Sequence, residues 1–131
     1  MGTGIPARSS GDQTVNYLRA PIDFSLGYTG TKTIGTIPAG CVVLRTYILV
    51  TTAFNNGSTN TMNIGTSATA ASYASAVALG TAGVIGGGSA LATSVLANPT
   101  SDTAVIATMA STGSAASAGA GIVIVEYAPV A

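Results

Sequence analysis

Histidine and tryptophan are absent from this 131-residue chain, cysteine occurs once, and charge is scarce: four basic and four acidic side chains in all. Each absence excludes something. Without histidine there is no Ser–His–Asp triad. The single cysteine, Cys41, allows no intramolecular disulfide and no multi-cysteine metal site. Followed by Val42, Val43 and Leu44, it reads as a small buried hydrophobe. The carboxylates at positions 12, 23, 102 and 126 show no calcium-loop spacing. Arg8, Arg19, Lys32 and Arg45 are the whole basic complement, too sparse for a nucleic-acid backbone, which is gripped by several Lys and Arg contacts. The expectation is a chain with no cofactor, no metal, no nucleic-acid partner and no catalysis.

Long apolar runs are missing as well. Residues 39–50 and 118–125 come nearest, but the first is broken by Arg45 and the second bounded by Glu126. Both fall short of the ~20 residues of a membrane-spanning helix, so no membrane partner is expected. The first ten residues lack a basic stretch followed by an apolar one, so no secretory signal is expected either.

What the chain does have is apolar bulk, 47% of its residues, against 6% charged, where ordinary soluble domains carry about 25% charged residues. Ser, Thr, Asn and Gly must wet the surface, or other protein must cover much of it. The zero net charge removes repulsion between copies and suits dense packing in an assembly. At this length a single domain can bury roughly two-thirds of the surface its unfolded chain exposes, so a core needs no staple.

Five of the eight charges, Arg8, Asp12, Arg19, Asp23 and Lys32, stand in the first 32 residues. Residues 1–13, rich in Gly, Pro and Ser, read as an extended N-terminal arm, with a disordered terminus as the alternative. Residues 14–131 read as one β-sandwich domain. Period-two alternation marks its strands. Ile22, Phe24, Leu26 and Tyr28 alternate with Asp23, Ser25 and Gly27, predicting a half-buried strand over 22–28. A weaker strand over 32–37 ends at Pro38-Ala39-Gly40, a turn with Pro at its second position. Residues 41–54 form the longest candidate, apolar on both faces, as are residues 122–125. Such strands are covered twice, or meet another subunit.

Asn55-Asn56-Gly57-Ser58 predicts a turn between strands, and that reading outweighs its match to the N-glycosylation pattern. Residues 60–65 return with Met62 and Ile64 inward. The Ala-rich residues 67–79 suit one or two helical turns presenting Tyr73 and Val77 together, or an irregular loop. Gly-rich residues 80–90 speak against regular structure. Residues 91–96 and 103–109 predict two strands about Asn98-Pro99-Thr100-Ser101, and residues 111–119 a loop before a last strand over 120–127. Short strands, frequent turns and no sustained helical period predict an all-β fold, a single-domain antiparallel β-sandwich or jelly roll.

Three weak chemical motifs yield to structural readings. The stretch Gly27-Tyr28-Thr29-Gly30-Thr31-Lys32-Thr33 lacks the adjacent Gly-Lys pair of a phosphate loop, and a strand follows it where a helix is needed. Thr29 and Lys32, a conceivable hydroxyl–lysine pair, sit among turn residues. Asp102-Thr103-Ala104 resembles one active-site loop of an aspartic protease, but the second loop is missing and Asp is ordinary after a Pro-containing turn.

The stretch Thr33-Ile34-Gly35-Thr36-Ile37-Pro38-Ala39-Gly40 is followed by a long strand ending Val50-Thr51-Thr52-Ala53-Phe54-Asn55-Asn56-Gly57. Asn63-Ile64-Gly65-Thr66 and the late strands at 103–109 and 122–127 continue the pattern. Over about residues 33–128 the chain resembles the small head decoration, or cement, proteins of tailed bacteriophages. The resemblance implies a non-enzymatic virion protein of β-sandwich fold. It would be assembled in the host cytoplasm, bind the major capsid protein at the capsid surface, and often stand there as a homotrimer. Ile5, Arg8, Val15, Tyr17 and Arg19, from the arm and its continuation, and Val43, Tyr47 and Leu49, from the double-faced strand, are the expected capsid or subunit contacts. The alternative is a phage tail, head-fibre or host-attachment β-module, although no repeat of fixed period runs through the chain.

Overall fold

The computed structural model describes residues 15–86 and 101–129. Its strands are β1 (Asn16–Asp23), β2 (Thr31–Ile37), β3 (Cys41–Thr52), β4 (Thr61–Gly65), β5 (Ala74–Ala78), β6 (Gly83–Gly86), β7 (Thr103–Met109) and β8 (Ala120–Pro129). They form two four-stranded sheets, β1-β8-β3-β6 and β2-β7-β4-β5, in which every pairing is antiparallel. Successive strands pass from one sheet to the other except between β4 and β5. That interleaved order is a jelly roll.

The core lies between the sheets, where inner faces interdigitate. Ile48, Val50, Val123 and Val125 from the first sheet join Ile37, Met62, Ile64, Val105 and Met109 from the second, all 2% exposed or less. Cys41 is free and buried in the same core. Along β3 the inward parity changes. Cys41 and Val43 point in, then Thr46, Ile48 and Val50 do, because the ladder with β8 skips Leu44 between the pairs Val43–Tyr127 and Arg45–Glu126. One extra residue in a strand turns every later side chain to the other face.

Several expectations need correction. The first strand runs over 16–23, not 22–28, and contains Pro21, tolerated because β1 is an edge strand with one ladder neighbour. Asp23 ends it by accepting hydrogen bonds from the Ser25 amide (2.8 Å) and hydroxyl. Phe24–Leu26 then form a 3-10 turn that leaves Phe24 and Tyr28 exposed. The turn before β3 falls on Ala39 and Gly40, one residue later than expected, with Gly40 at φ 83°. Asp102 accepts a hydrogen bond from the Ala39 amide at 3.0 Å, a turn-bracing task that accounts for its carboxylate.

Residues 55–58 lie in a connection that carries the chain from one sheet to the other, since β3 and β4 do not pair. The Ala-rich segment supplies β5, not helical turns. Short isolated helices are marginal, whereas Ala74 and Val77 here reach the core while the strand pairs with β4. The Asn63 side chain bridges the irregular pairing by accepting from the Ala76 amide at 2.7 Å. The Gly-rich segment contains β6, held by its ladder to Tyr47–Val50 of β3. The strand expected over 91–96, turn residues 98–100 and the whole of the proposed arm lie outside the described residues.

Gly119 closes the loop before β8 at φ 148°, and a Cβ there would stand 2.5 Å from the buried Phe54 ring. Gly119→Ala should therefore cost about 1–3 kcal/mol, from backbone strain and displacement of the ring. Chemical unfolding of the variant checks this.

Candidate functional site

The outer face of the β1-β8-β3-β6 sheet carries the unusual chemistry. Register sets its side chains in cross-strand ranks. The first is Tyr17–Glu126–Arg45, the second Arg19–Ile124–Tyr47–Gly86, and the third Pro21–Ile122–Leu49–Val84. Alternation puts these residues outside because their neighbours Leu18, Ala20, Ile48, Val123 and Val125 serve the core. The apolar members are a continuous group, not scattered singles. Tyr17 is 62% and Val84 69% exposed, while Tyr47, Leu49, Ile122 and Ile124 are half-buried among one another. A shallow groove runs between Tyr17, Arg19, Tyr47, Leu49, Ile122 and Ile124. A second hollow opens where β6 ends, beside Arg45, Thr46, Tyr47, Val84 and Gly86.

The opposite outer face differs. Thr33, Thr36, Asn63, Ala104 and Thr108 dominate it, with Ile106 half-buried among them. Small and hydroxylated side chains keep water company there, so apolar surface is concentrated on one side of the sandwich.

Charge on the apolar side is mostly self-compensated. Arg45 and Glu126 form a two-point ion pair, Nε–Oε2 at 2.8 Å and Nη2–Oε1 at 3.1 Å. The Tyr47 hydroxyl donates to the same Glu126 Oε1 at 3.3 Å, and the Arg45 guanidinium stands 5.4 Å from the Tyr47 ring centroid. The hydrogen-bonded guanidinium holds the Glu126 carboxyl below its ordinary 4.5, and the carboxylate raises Arg45 in turn. In the unfolded chain Glu126 titrates near 4.5. The contact's stabilisation is thus fully present above that value and is lost as pH falls through the lower folded value. Thermal unfolding above and below 4.5 should show a smaller acid-side loss in Glu126→Gln than in the parent. The difference is small, because Arg45 is largely solvated.

Of the sequence-predicted contacts, Tyr17, Arg19, Tyr47 and Leu49 come together on this face. Val15 stands just before β1, 53% exposed. Ile5 and Arg8 lie outside the described residues. Val43 is a correction: at 3% exposure it belongs to the core, because it precedes the Leu44 bulge and has inward parity. Glu126, Pro21 and Val84 were not singled out as contacts. The β-branched pair Val84-Ile85 between glycines was the available signal for the last.

The fold has a likeness among solved structures. A chain of the solved cyanophage Pam1 capsid asymmetric unit superposes with a TM-score of 0.63. The match covers 97% of this chain and 98% of that one, at 22% sequence identity. A scan against protein-family models finds no match, and a search of curated proteins finds none either. The jelly roll is therefore shared along nearly the whole length of both chains.

Proposed function

We propose that this chain is a non-enzymatic structural protein of a bacteriophage particle, a decoration or cement protein bound to the capsid surface. The observation that carries the reading is the ranked apolar face on one side of the sandwich. Such a face offers contact area and no reaction chemistry, which is what binding between shell subunits requires. The full-length likeness to a capsid chain supports the same reading. In it, the major capsid protein is the partner, copies associate with one another, and the expected order is a homotrimer. Assembly takes place in the host cytoplasm. Many copies, each contributing modest free energy, reinforce a shell by multivalency.

Residues 1–13 supply a second grip in this proposal, with Ile5 and Arg8 as contacts beside Val15. Deleting them should leave the sandwich folded, since its strands lie downstream, and lower occupancy on shells. Unchanged occupancy and unchanged salt sensitivity would remove the arm from the proposal. The reading as a whole is tested by electron cryomicroscopy of the particle. Density for the jelly roll coating the shell supports it, and density confined to the tail or one vertex refutes it in favour of an attachment module.

A further inference from the structure

We propose that a second copy of this chain packs on the outer face of the β1-β8-β3-β6 sheet in a two-fold, face-to-face pair that sets the two Arg45–Glu126 ion pairs against each other. The proposal rests on the self-association part of the reading above and gives it a geometry.

The argument comes from the ranks. Consider a two-fold axis lying in the interface, parallel to the strands and between β8 and β3. It lays β8 of one copy on β3 of the other and β1 on β6, and each rank stays at its own level. In the first rank Glu126 then faces Arg45 of the second copy, and Arg45 faces Glu126. Four charges alternate in sign around a square, so desolvation is answered by an added opposite neighbour for each. In the second rank Ile124 meets Tyr47. Arg19 meets Gly86, which carries no side chain, beside the hollow that among the described residues is lined by Tyr47 and Val84. There its guanidinium sits at the rim of the pair, near a tyrosine ring of the kind Arg45 already accompanies.

In the third rank Ile122 meets Leu49, and Pro21 covers Val84, the most exposed apolar side chain among those named. Charge, bulk and hollow are thus complementary to themselves under one operation, as an isologous interface requires. Sheets stacked face to face in this way lie about 10 Å apart and nearly aligned. An axis across the strands would instead press the ion pair onto Ile122 and Leu49 and bury charge against hydrocarbon. A two-fold contact makes a dimer or joins two trimers; it does not close a ring of three.

Two variants test the pairing, Glu126→Arg and Arg45→Glu, each made in the full chain and checked for fold by circular dichroism. Either one alone sets like charges against like across the interface, and its pairing should weaken by at least about 30-fold. Mixed in equal amounts, they present every arginine to an acid of the other copy, and sedimentation equilibrium should recover the paired species. An ion pair that merely braces its own sheet predicts no recovery on mixing. A mixture as unassociated as its parts, or a parent protein with no even-numbered species, overturns the proposal.

If either variant fails to fold, cross-linking in the otherwise native face replaces the test. Pro21→Cys with Val84→Cys places the two thiols on opposite edges of one sheet, three strand spacings apart at roughly 4.8 Å each, too far for an internal disulfide. Face to face, each thiol stands about 10 Å from its counterpart in the second copy, beyond a direct disulfide but within reach of a bis-maleimide about 10 Å long, which does not span the roughly 14 Å between the two thiols of one sheet. A covalent dimer on treatment with that reagent is expected, and its absence refutes the pair. Shell attachment is read separately. A protein that pairs in solution but leaves shells bare overturns the capsid reading and leaves this one standing.

Discussion

Ile48→Ala is expected to lower the unfolding free energy by about 2–5 kcal/mol, the range for deleting a large aliphatic side chain from a packed interior. Ile48 has no exposed surface and sits on β3, which β8 and β6 flank on either side. Its neighbours Val50 and Val123 are fixed by the same ladders, so the site cannot collapse far into the gap. A domain of this size holds roughly 5–15 kcal/mol in total, so the loss is a large share. Leu44→Ala provides the contrast. It stands on the same strand, but at the bulge and 43% exposed, and should fall within about 0.5 kcal/mol of the parent. Urea unfolding midpoints at equal slope decide the matter, and near-equality of the two variants would contradict the assignment of the core.

Leu49→Lys combined with Ile122→Lys should abolish most self-pairing through the apolar face, and with it any shell attachment that depends on the pair, while sparing the fold. The two residues are register partners at the centre of the apolar face and point away from the core. Lysine stems can lie along the sheet and keep their ammonium groups in water, so stability changes little. A partner that formerly covered hydrocarbon must now desolvate two cations. A loss of about 2 kcal/mol or more, roughly 30-fold in occupancy, is the expectation for damage at the centre of an interface. The control is Thr36→Lys with Ala104→Lys, a register pair on the hydroxylated outer face. Co-sedimentation with shells and sedimentation of the free protein both check this. Equal effects from the two pairs would mean that the apolar face has no special part in binding.

The sequence was most legible where side chains themselves decide the structure. β4 and β7 alternate apolar residues at period two, β3 and β8 are long apolar runs on both faces, and Met62 and Ile64 point inward as expected. β5 and β6 were not legible, because alanine and glycine carry no pattern. Those segments become strands through backbone hydrogen bonding to β4 and β3. Of the expected contacts on β3, Tyr47 and Leu49 lie on the outer face, whereas Val43 shares their odd numbering and points inward. The difference is the single inserted residue at Leu44, which no local pattern announces. That Tyr17 and Arg19 join Tyr47 on one face depends on β8 lying between β1 and β3. Pairing across so much intervening chain leaves no trace in either segment alone.

The central place of β8 in its sheet also governs when the protein can come into being during synthesis. Asn16 pairs with Tyr127, and β3 draws its longest ladder from the same late strand. Until residues 120–129 leave the ribosome, β1 has no ladder partner and the first sheet is limited to the short β3–β6 pairing. Closing such long loops makes folding slow. A chain that ends before β8 cannot present the ranked face.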